Sequence, residues 1–143
     1  MLREELPFDF KIWSKWVADF ENPKKRKSFA AQGQQLLDYS DALQDRAIEN
    51  AQVVEFEGHK CLAVNSPLLH SDIGHKLSKL MPPFGVVWSE KSDIRAFSLR
   101  SNGKFDVSKL AQKYGGGGHK AAAGFAMKLN EKLPWKFTRP YEK

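Results

Sequence analysis

The chain has 143 residues, of which 41% are hydrophobic, 12% aromatic and 28% charged, a composition typical of a soluble globular protein. This apolar content excludes wholesale disorder, and no run of 18 apolar residues is available to span a membrane. The first ten residues, MLREELPFDF, contain acids and a proline where a signal peptide needs an apolar stretch, so we expect a cytoplasmic protein. The single cysteine, Cys61, can form neither an internal disulfide nor a cysteine-based zinc site.

Charge is distributed unevenly along the chain. Residues 1–57 carry 8 Lys and Arg against 11 Asp and Glu, a net charge of −3, whereas residues 58–143 carry 15 against 6, a net charge of +9. Such a concentration of positive charge favours an anionic partner, such as phosphate, a nucleotide or nucleic acid. A solvated basic surface would give the same count, so the charge alone does not decide between the two.

Residues 1–51 are predicted to form a helical extension. Apolar side chains recur at helical spacing over residues 10–20. Asn22 and Pro23 then supply an N-cap and a proline at the first helical position, and a longer-than-average helix is predicted to follow, ending near Asn50. One broad face of that helix is apolar, and we expect it to be covered within the chain or in a dimer; it includes Phe29, Leu36, Leu43 and Ala47.

Residues 52–143 are predicted to form a second domain that mixes strands and helices. Its first hairpin covers about residues 53–65, with Gly58-His59 as a two-residue turn. A helix is then predicted to start at Ser71-Asp72, which can cap it, and to end near Leu80, before two prolines.

The remainder of this domain is predicted to contain a second hairpin, a short helix and a closing strand. The hairpin covers about residues 84–99, and Asp106 caps the short helix. Beyond a glycine run, we expect one or two helical turns over 119–123 and a strand over 124–129. The order of elements predicts an α/β (α+β) fold, with a mixed sheet of about five strands flanked by helices.

The glycine run, from Gly115 to Gly118, is the strongest functional signal. Glycine N–H groups can approach an anion closely, and a helix starting at His119 would add unpaired N–H donors. Gly116, Gly117 and Gly118 are therefore interpreted as a phosphate site with His119 and Lys120 at its rim. A flexible linker is the alternative interpretation of such a run.

Arg100 is a second candidate for phosphate binding. It ends a predicted strand beside Ser98 and Ser101, and a guanidinium group there can bind a phosphate bidentately while the hydroxyls donate further hydrogen bonds. The alternative is an ordinary surface arginine at a strand end.

Residues 116–125, with the sequence GGGHKAAAGF, resemble the GGGHxxAAGF signature of the DHH-associated domain, the C-terminal domain of DHH-family phosphoesterases. The preceding Ser98-Leu99-Arg100-Ser101 is similar to the S-x-R-S strand end of that family, and the resemblance covers about residues 53–129. It implies a substrate-binding domain that holds the phosphates of short RNA, short DNA or a phosphorylated nucleotide. It also places Asn65 and Ser71-Asp72 near the ligand cleft.

The catalytic half of that family carries an Asp-His-His motif and aspartates that hold manganese, and this chain has no Asp-His-His. Asp72 and His75 are three residues apart, but two ligands do not make a two-metal site. We therefore expect no cofactor in this chain and manganese only in a separate catalytic domain. Whether the chain is itself an enzyme stays open, and we expect it to be inactive alone.

Two other interpretations are kept. The C-terminal domain of alanyl-tRNA synthetases has a similar glycine-rich segment and contacts tRNA, but its spacing before the Ala-Gly pair is longer than in this chain. Alternatively, the long helix is a dimerisation module, although the sequence offers no long heptad pattern to support one.

Overall fold

The computed structural model describes residues 8–142, so residues 1–7, which contribute to the signal-peptide argument, lie outside the described part. The elements in chain order are α1 (Phe10–Glu21), α2 (Pro23–Ile48), β1 (Gln52–Phe56), β2 (His59–Asn65), α3 (His70–Leu80), β3 (Phe84–Lys91), β4 (Ile94–Ser101), α4 (Val107–Gln112), β5 (Gly117–His119), β6 (Ala122–Lys128) and β7 (Trp135–Pro140). The strands form one sheet in the order β5-β6-β4-β3-β2-β1-β7. The sheet is mixed, because β2 and β3 run parallel and the other neighbours run antiparallel.

The α/β class and the N-terminal helical segment are confirmed, and the sheet has seven strands where about five were expected. The two additional strands are β5, in the glycine run, and β7, in the C-terminal tail. The chain divides into two compact units, one up to Asp41 and one from Ala42 onward. This division falls inside α2, earlier in the chain than the boundary expected after residue 51.

The helix pair of the first unit forms as its capping residues predict. The Asp9 carboxylate accepts a hydrogen bond from the Lys11 N–H (2.8 Å) at the start of α1. The Asn22 side chain accepts from the N–H of Lys24 (3.0 Å), which confirms the predicted cap before Pro23. Of the residues expected to be covered within the chain or in a dimer, Ala47 packs against the cluster that contains Ile48. Leu36 is 65% exposed and Leu43 42% exposed, so the chain itself does not cover these two side chains. Their burial in a dimer stays a prediction.

The first hairpin turns one residue earlier than predicted. Glu57 and Gly58 both have positive φ, 50° and 77°, and form the two-residue turn, while His59 already belongs to β2. Two successive left-handed residues are typical of the turn that matches the right-handed twist of a hairpin.

Both faces of the sheet are covered in the second unit: α4 packs on one face, and α3 packs on the other together with Ile48 at the end of α2. On the α4 face, helix residues Val107, Leu110 and Ala111 pack on strand residues that include Val54, Phe56, Phe84, Phe97 and Leu99. On the α3 face, Ile73 and Leu77 pack with residues that include Val53, Leu62, Val64 and Val87. Consecutive strand residues alternate between the two clusters, as the period of a strand requires.

Helix α3 begins without the predicted cap. Leu69, with a φ of 54°, occupies the N-cap position and makes no side-chain cap hydrogen bond, so Ser71 and Asp72 lie in the first turn instead. The helix packs very close to β3: a Cβ on Gly85 would lie 2.5 Å from Leu77 Cβ and 2.7 Å from the Gly74 carbonyl oxygen. Only glycine fits at this crossing.

The predicted helix over residues 119–123 is wrong. The segment forms the β5–β6 hairpin, in which His119 pairs with Ala122 and Gly118 with Ala123. Strand β6 pairs on its other side with β4, from Ile94↔Lys128 to Arg100↔Ala122. Alanine favours helices in isolation, but pairing with β4 and burial of Ala123 and Phe125 override that weak local preference.

A small polar network anchors the end of α4. Glu57 accepts hydrogen bonds from the Lys113 ammonium group and from the Tyr114 hydroxyl (2.7 Å). These two hydrogen bonds, that of Lys113 first, hold the pKa of the Glu57 carboxyl below its usual value. Burial, with a contribution from Glu57, raises the pKa of Tyr114 to about 12. The Tyr114 ring also stacks on Phe125 (4.7 Å between centroids), which fixes the residue just before the glycine run.

The Glu57 network predicts a pH-dependent stability. Because the folded-state pKa of Glu57 is lowered, its ionised form stabilises the fold above the unfolded-state pKa, and this stabilisation is lost as the pH falls through the folded-state pKa. Glu57→Gln should lower the free energy of unfolding at pH 7 by at most about 1 kcal/mol, as for a partly exposed ion pair. At about pH 3 the variant and wild type should differ less.

Urea unfolding at both pH values measures this difference, with Glu55→Gln on the adjoining strand β1 as the control. An equal loss of stability at both pH values would show that the substitution acts on the turn and not through the charge.

Candidate functional site

Two of the predicted site residues are brought to one face of the sheet by strand pairing. Arg100 on β4 pairs with Ala122 on β6, and Ala122 pairs with His119 on β5. Because directly paired residues project to the same face, Arg100 and His119 flank the Ala122 methyl group on the α3 face. Two inter-strand spacings separate their Cα atoms by about 10 Å.

Arg100, Ala122 and His119 form one row of paired residues across three strands, and a second row beside it carries only one side chain, that of Ser98. Ser98 pairs with Gly124, which pairs with Gly117. A Cβ on Gly117 would meet no atom within 4 Å, so the space above it is open. We call the surface formed by both rows the trough: Ser98, Arg100, Gly117, His119, Ala122 and Gly124. Its floor carries nothing larger than a methyl group between the Arg100 and His119 side chains.

Arg100 is half-buried and bound only by neutral groups. Its Nη1 donates to the Leu99 carbonyl oxygen (2.9 Å) and its Nη2 to the Ser71 hydroxyl (2.8 Å) in the first turn of α3. Within residues 8–142 it forms no ion pair with a carboxylate. The guanidinium group therefore lies at the positive end of the α3 dipole without a directly bonded carboxylate, while Asp72 in the same first turn carries a negative charge at that helix end.

Arg95, on the same strand, has different surroundings. Its guanidinium group donates to Glu90 Oε1 through Nε (3.1 Å) and Nη2 (2.8 Å), and it lies 5.4 Å from the centroid of the Trp88 ring. Arg95 and Arg100 are five positions apart on the strand, an odd number, so the two project to opposite faces of the sheet. Of these two arginines, Arg95 has a carboxylate partner and Arg100 has none.

Ser101 does not point into the trough. It is buried on the α4 face, where its hydroxyl donates to the Phe105 carbonyl oxygen (2.7 Å) and accepts from the Gly103 N–H (3.2 Å). Its own N–H donates to the Ala121 carbonyl oxygen (3.0 Å). Ser101 thus ties the end of β4 to the turn between β5 and β6.

The three predicted glycines have different roles. A Cβ on Gly116 would lie 2.1 Å from the Gly124 carbonyl oxygen, and one on Gly118, whose φ is 141°, would lie 2.6 Å from the Ala122 carbonyl oxygen. Both positions serve close backbone packing, whereas Gly117 alone has free space above it. Since β5 includes the last two glycines of the run and ends at His119, there is no helix N-terminus at His119 to supply N–H donors.

Lys120 lies in the turn between β5 and β6. Its side chain is exposed, and its carbonyl oxygen accepts a hydrogen bond from the Val107 N–H (3.0 Å), which links the turn to the start of α4. Lys120 is therefore an exposed positive charge at the end of the trough rather than part of its floor.

Three further residues of this region are not among the predicted site residues: Gly74 on α3, and Ala122 and Gly124 on β6. Ala122 and Gly124 belong to the GGGHxxAAGF signature, whereas Gly74 carries no signal in the sequence. Their importance depends on the register of β4 with β6 and on where α3 crosses the sheet. Neither is a local property of the chain.

The described residues do not provide a metal site. Within residues 8–142, no three His, Cys, Asp or Glu side chains come close enough together to hold a metal ion, so they do not fit a manganese centre. Burial raises the pKa of the Cys61 thiol to about 12, which disfavours the thiolate needed in a ligand or nucleophile. No helix in the described part of the chain is both long and apolar enough to cross a membrane.

Residues 71–135, which include α3, the trough and the glycine run, match the model of the DHHA1 domain family. The chain contains a DHHA1 domain. This domain is homologous to the C-terminal parts of DHH phosphodiesterases, so the predicted resemblance is confirmed.

Two proteins are related to this chain in sequence, and one solved structure has a similar fold. Over 131 residues it is 33% identical to the uncharacterized protein R106 of Acanthamoeba polyphaga mimivirus, covering 85% of this chain and 30% of that protein. Over 96 residues it is 31% identical to oligoribonuclease NrnB of Bacillus subtilis (strain 168), covering 64% of this chain and 24% of that protein. The chain thus spans less than a third of the length of either relative.

The solved structure of the pGpG-specific phosphodiesterase PggH from Vibrio cholerae has a similar fold. The TM-score is 0.51 and the sequence identity 14%, over 77% of this chain and 39% of that chain.

The space around Gly116 and Gly117 predicts that alanine substitutions at these adjacent positions affect stability differently. Gly116→Ala should lower the free energy of unfolding by about 1–3 kcal/mol, because its methyl group would overlap the β6 backbone. Gly117→Ala, the matched control, should change stability by no more than about 0.5 kcal/mol, since its methyl group projects into open space. Urea unfolding monitored by tryptophan fluorescence compares the two. Equal stabilities would mean that the β5–β6 hairpin does not pack as described.

Proposed function

We propose that the trough binds the phosphate of a short oligonucleotide or phosphorylated nucleotide, and that the chain is the substrate-binding part of a DHH-family phosphoesterase. The observation that carries this proposal is Arg100, a half-buried cation without a carboxylate partner that faces an open floor.

Electrostatics favours an anion at this position. A guanidinium group beside a helix N-terminus is destabilised by the dipole unless an anion lies nearby. A phosphate can accept two parallel N–H bonds from arginine, and Arg100 retains N–H groups beyond the two bound to Leu99 and Ser71. The net charge of +9 over residues 58–143 would also attract a polyanion.

The shape of the trough supports the same proposal. Gly117, Ala122 and Gly124 leave the backbone of β5 and β6 accessible from the α3 face, so a phosphate and the attached sugar can approach it closely. His119 and the Ser98 hydroxyl project from the same face and would provide further donors. Lys120 would contribute a point charge at the end of the trough.

The related proteins support a nucleotide ligand. One relative is an oligoribonuclease, and the enzyme of similar fold is specific for pGpG. The same family implies that hydrolysis requires manganese held by a catalytic domain. Within residues 8–142 no three potential ligands come close enough together to hold manganese, so this part of the chain would contribute binding and orientation. This chain would therefore bind the ligand, and the separate catalytic domain would hydrolyse it.

Arg100→Ala tests the proposal against a phosphorylated dinucleotide and its unphosphorylated twin. Wild type should prefer the phosphorylated ligand, because a charged hydrogen bond contributes about 1.5–3 kcal/mol. Arg100→Ala should weaken that binding by roughly ten- to hundredfold, since about 1.4 kcal/mol corresponds to tenfold. Arg95→Ala removes the same charge from the opposite face and should leave the affinity near that of wild type. Isothermal titration at constant salt measures all the affinities.

Two outcomes would contradict this function. Equal affinity of wild type for the two dinucleotides would show that no phosphate is recognised. Equal losses for Arg95→Ala and Arg100→Ala would show that only net charge matters. Tight binding of tRNA that is insensitive to Arg100→Ala would instead support the tRNA-binding alternative.

A further inference from the structure

The first turns of α3 contact Arg100 at two points along its side chain. The Ser71 hydroxyl accepts a hydrogen bond from Nη2 at 2.8 Å, at the tip of the side chain. One turn later, a Cβ on Gly74 would lie 2.9 Å from Arg100 Cγ and 3.3 Å from its Cβ, so the stem of the side chain runs directly over that glycine.

We propose that Ser71 and Gly74 are positioning residues that hold the Arg100 guanidinium group in the orientation the trough requires. The proposal rests on the function proposed above and identifies what makes that function efficient. A free arginine side chain has many rotamers, and fixing one of them on binding costs conformational entropy. The α3 contacts restrict these rotamers before a ligand arrives.

The close approach of α3 to the sheet is what brings Ser71 within reach. A side chain at Gly85 would collide with Leu77 and with the Gly74 carbonyl oxygen, so α3 can pack this closely on β3 only where the strand has a glycine. Arg100 pairs with Gly85 across the β3–β4 ladder, so its side chain rises from the sheet beside the space that the glycine leaves. Gly74 and Gly85 therefore determine both how closely α3 packs on the sheet and which path the Arg100 side chain takes.

The two bonds of the guanidinium group also define which atoms a ligand meets. Nη1 is held by the carbonyl oxygen of Leu99 and Nη2 by Ser71, so the group is fixed at both terminal nitrogens. The hydrogens not used in these bonds keep a defined direction. Removing the Ser71 hydroxyl would free one end of the group without removing any charge.

A double-mutant cycle with Arg100 tests the positioning role. The measured quantity is the ratio of the dissociation constants of the unphosphorylated and 5′-phosphorylated dinucleotide, which we call the phosphate preference. Ser71→Ala should lower the phosphate preference by about two- to tenfold, the range for one net hydrogen bond. In the Arg100→Ala background the same substitution should have no further effect. Ser71→Thr, which keeps a hydroxyl, should restore the preference.

Gly74→Ala supplies an independent arm of the experiment. Its methyl group should displace the Arg100 stem and lower the phosphate preference in the wild-type background only. The melting midpoint should fall less in the Arg100→Ala background, where the Cγ atom 2.9 Å from the added methyl group is absent. A merely structural role of Gly74 would give the same loss of melting midpoint in both backgrounds.

The outcomes separate this proposal from the function on which it rests. If wild type shows no phosphate preference, or if Arg100→Ala retains it, the proposed function is wrong. If both behave as expected, the positioning role is overturned by either of two results: Ser71→Ala keeps the full preference, or it lowers the preference equally in the Arg100→Ala background. The second result would mean that Ser71 contacts the ligand independently of Arg100.

Discussion

The antiparallel pairing of β4 with β6 is the interaction on which the rest of the structure depends. It buries Phe97, Leu99, Ala123 and Phe125 on the α4 face, where the rings of Phe97 and Phe125 stack at 4.5 Å. The same register aligns Arg100 with Ala122 and, through β5, with His119. A slip of one residue would send Arg100 to the opposite face and place Leu99 in the trough. Core packing and the candidate site are therefore specified by one set of contacts.

Arg95 and Arg100 lie on opposite faces of one strand and have different charge surroundings. Arg95 is neutralised by Glu90 and packed on Trp88, so its charge already has a partner within the fold. Arg100 donates only to a carbonyl and a hydroxyl oxygen, at the end of α3 where the helix dipole is positive. Binding of the proposed anion would supply the charge partner that Arg100 lacks.

Much of the fold could be predicted from local patterns. Asn22 before Pro23 and Asp106 before α4 cap helices as predicted, because a cap depends only on a few consecutive residues. The β5–β6 hairpin could not be predicted in this way. Its alanines favour a helix locally, and what decides their conformation is β4, which lies some twenty residues earlier in the chain. The missing cap of α3 and the exposed Leu36 likewise depend on tertiary surroundings.

The candidate site was predicted as a set of residues but not as a shape. Arg100, Gly117, His119 and Ser98 do share one surface, whereas Ser101, Gly116 and Gly118 support it from behind. The signature runs through both groups, so sequence alone cannot distinguish a residue that lines the trough from one that packs beneath it. Strand alternation and the atoms that a glycine Cβ would meet make that distinction.

The most direct test of the account is to map the ligand contact on the protein by two-dimensional NMR during titration with a 5′-phosphorylated dinucleotide. We expect the largest changes at the backbone amides of Gly117, His119 and Ser71 and at the Arg100 Nε–H. The unphosphorylated twin should leave the Arg100 signal unchanged. Changes concentrated on α4 or β7, or an Arg100 signal that does not respond to the phosphorylated ligand, would contradict the claim that the trough is the binding site.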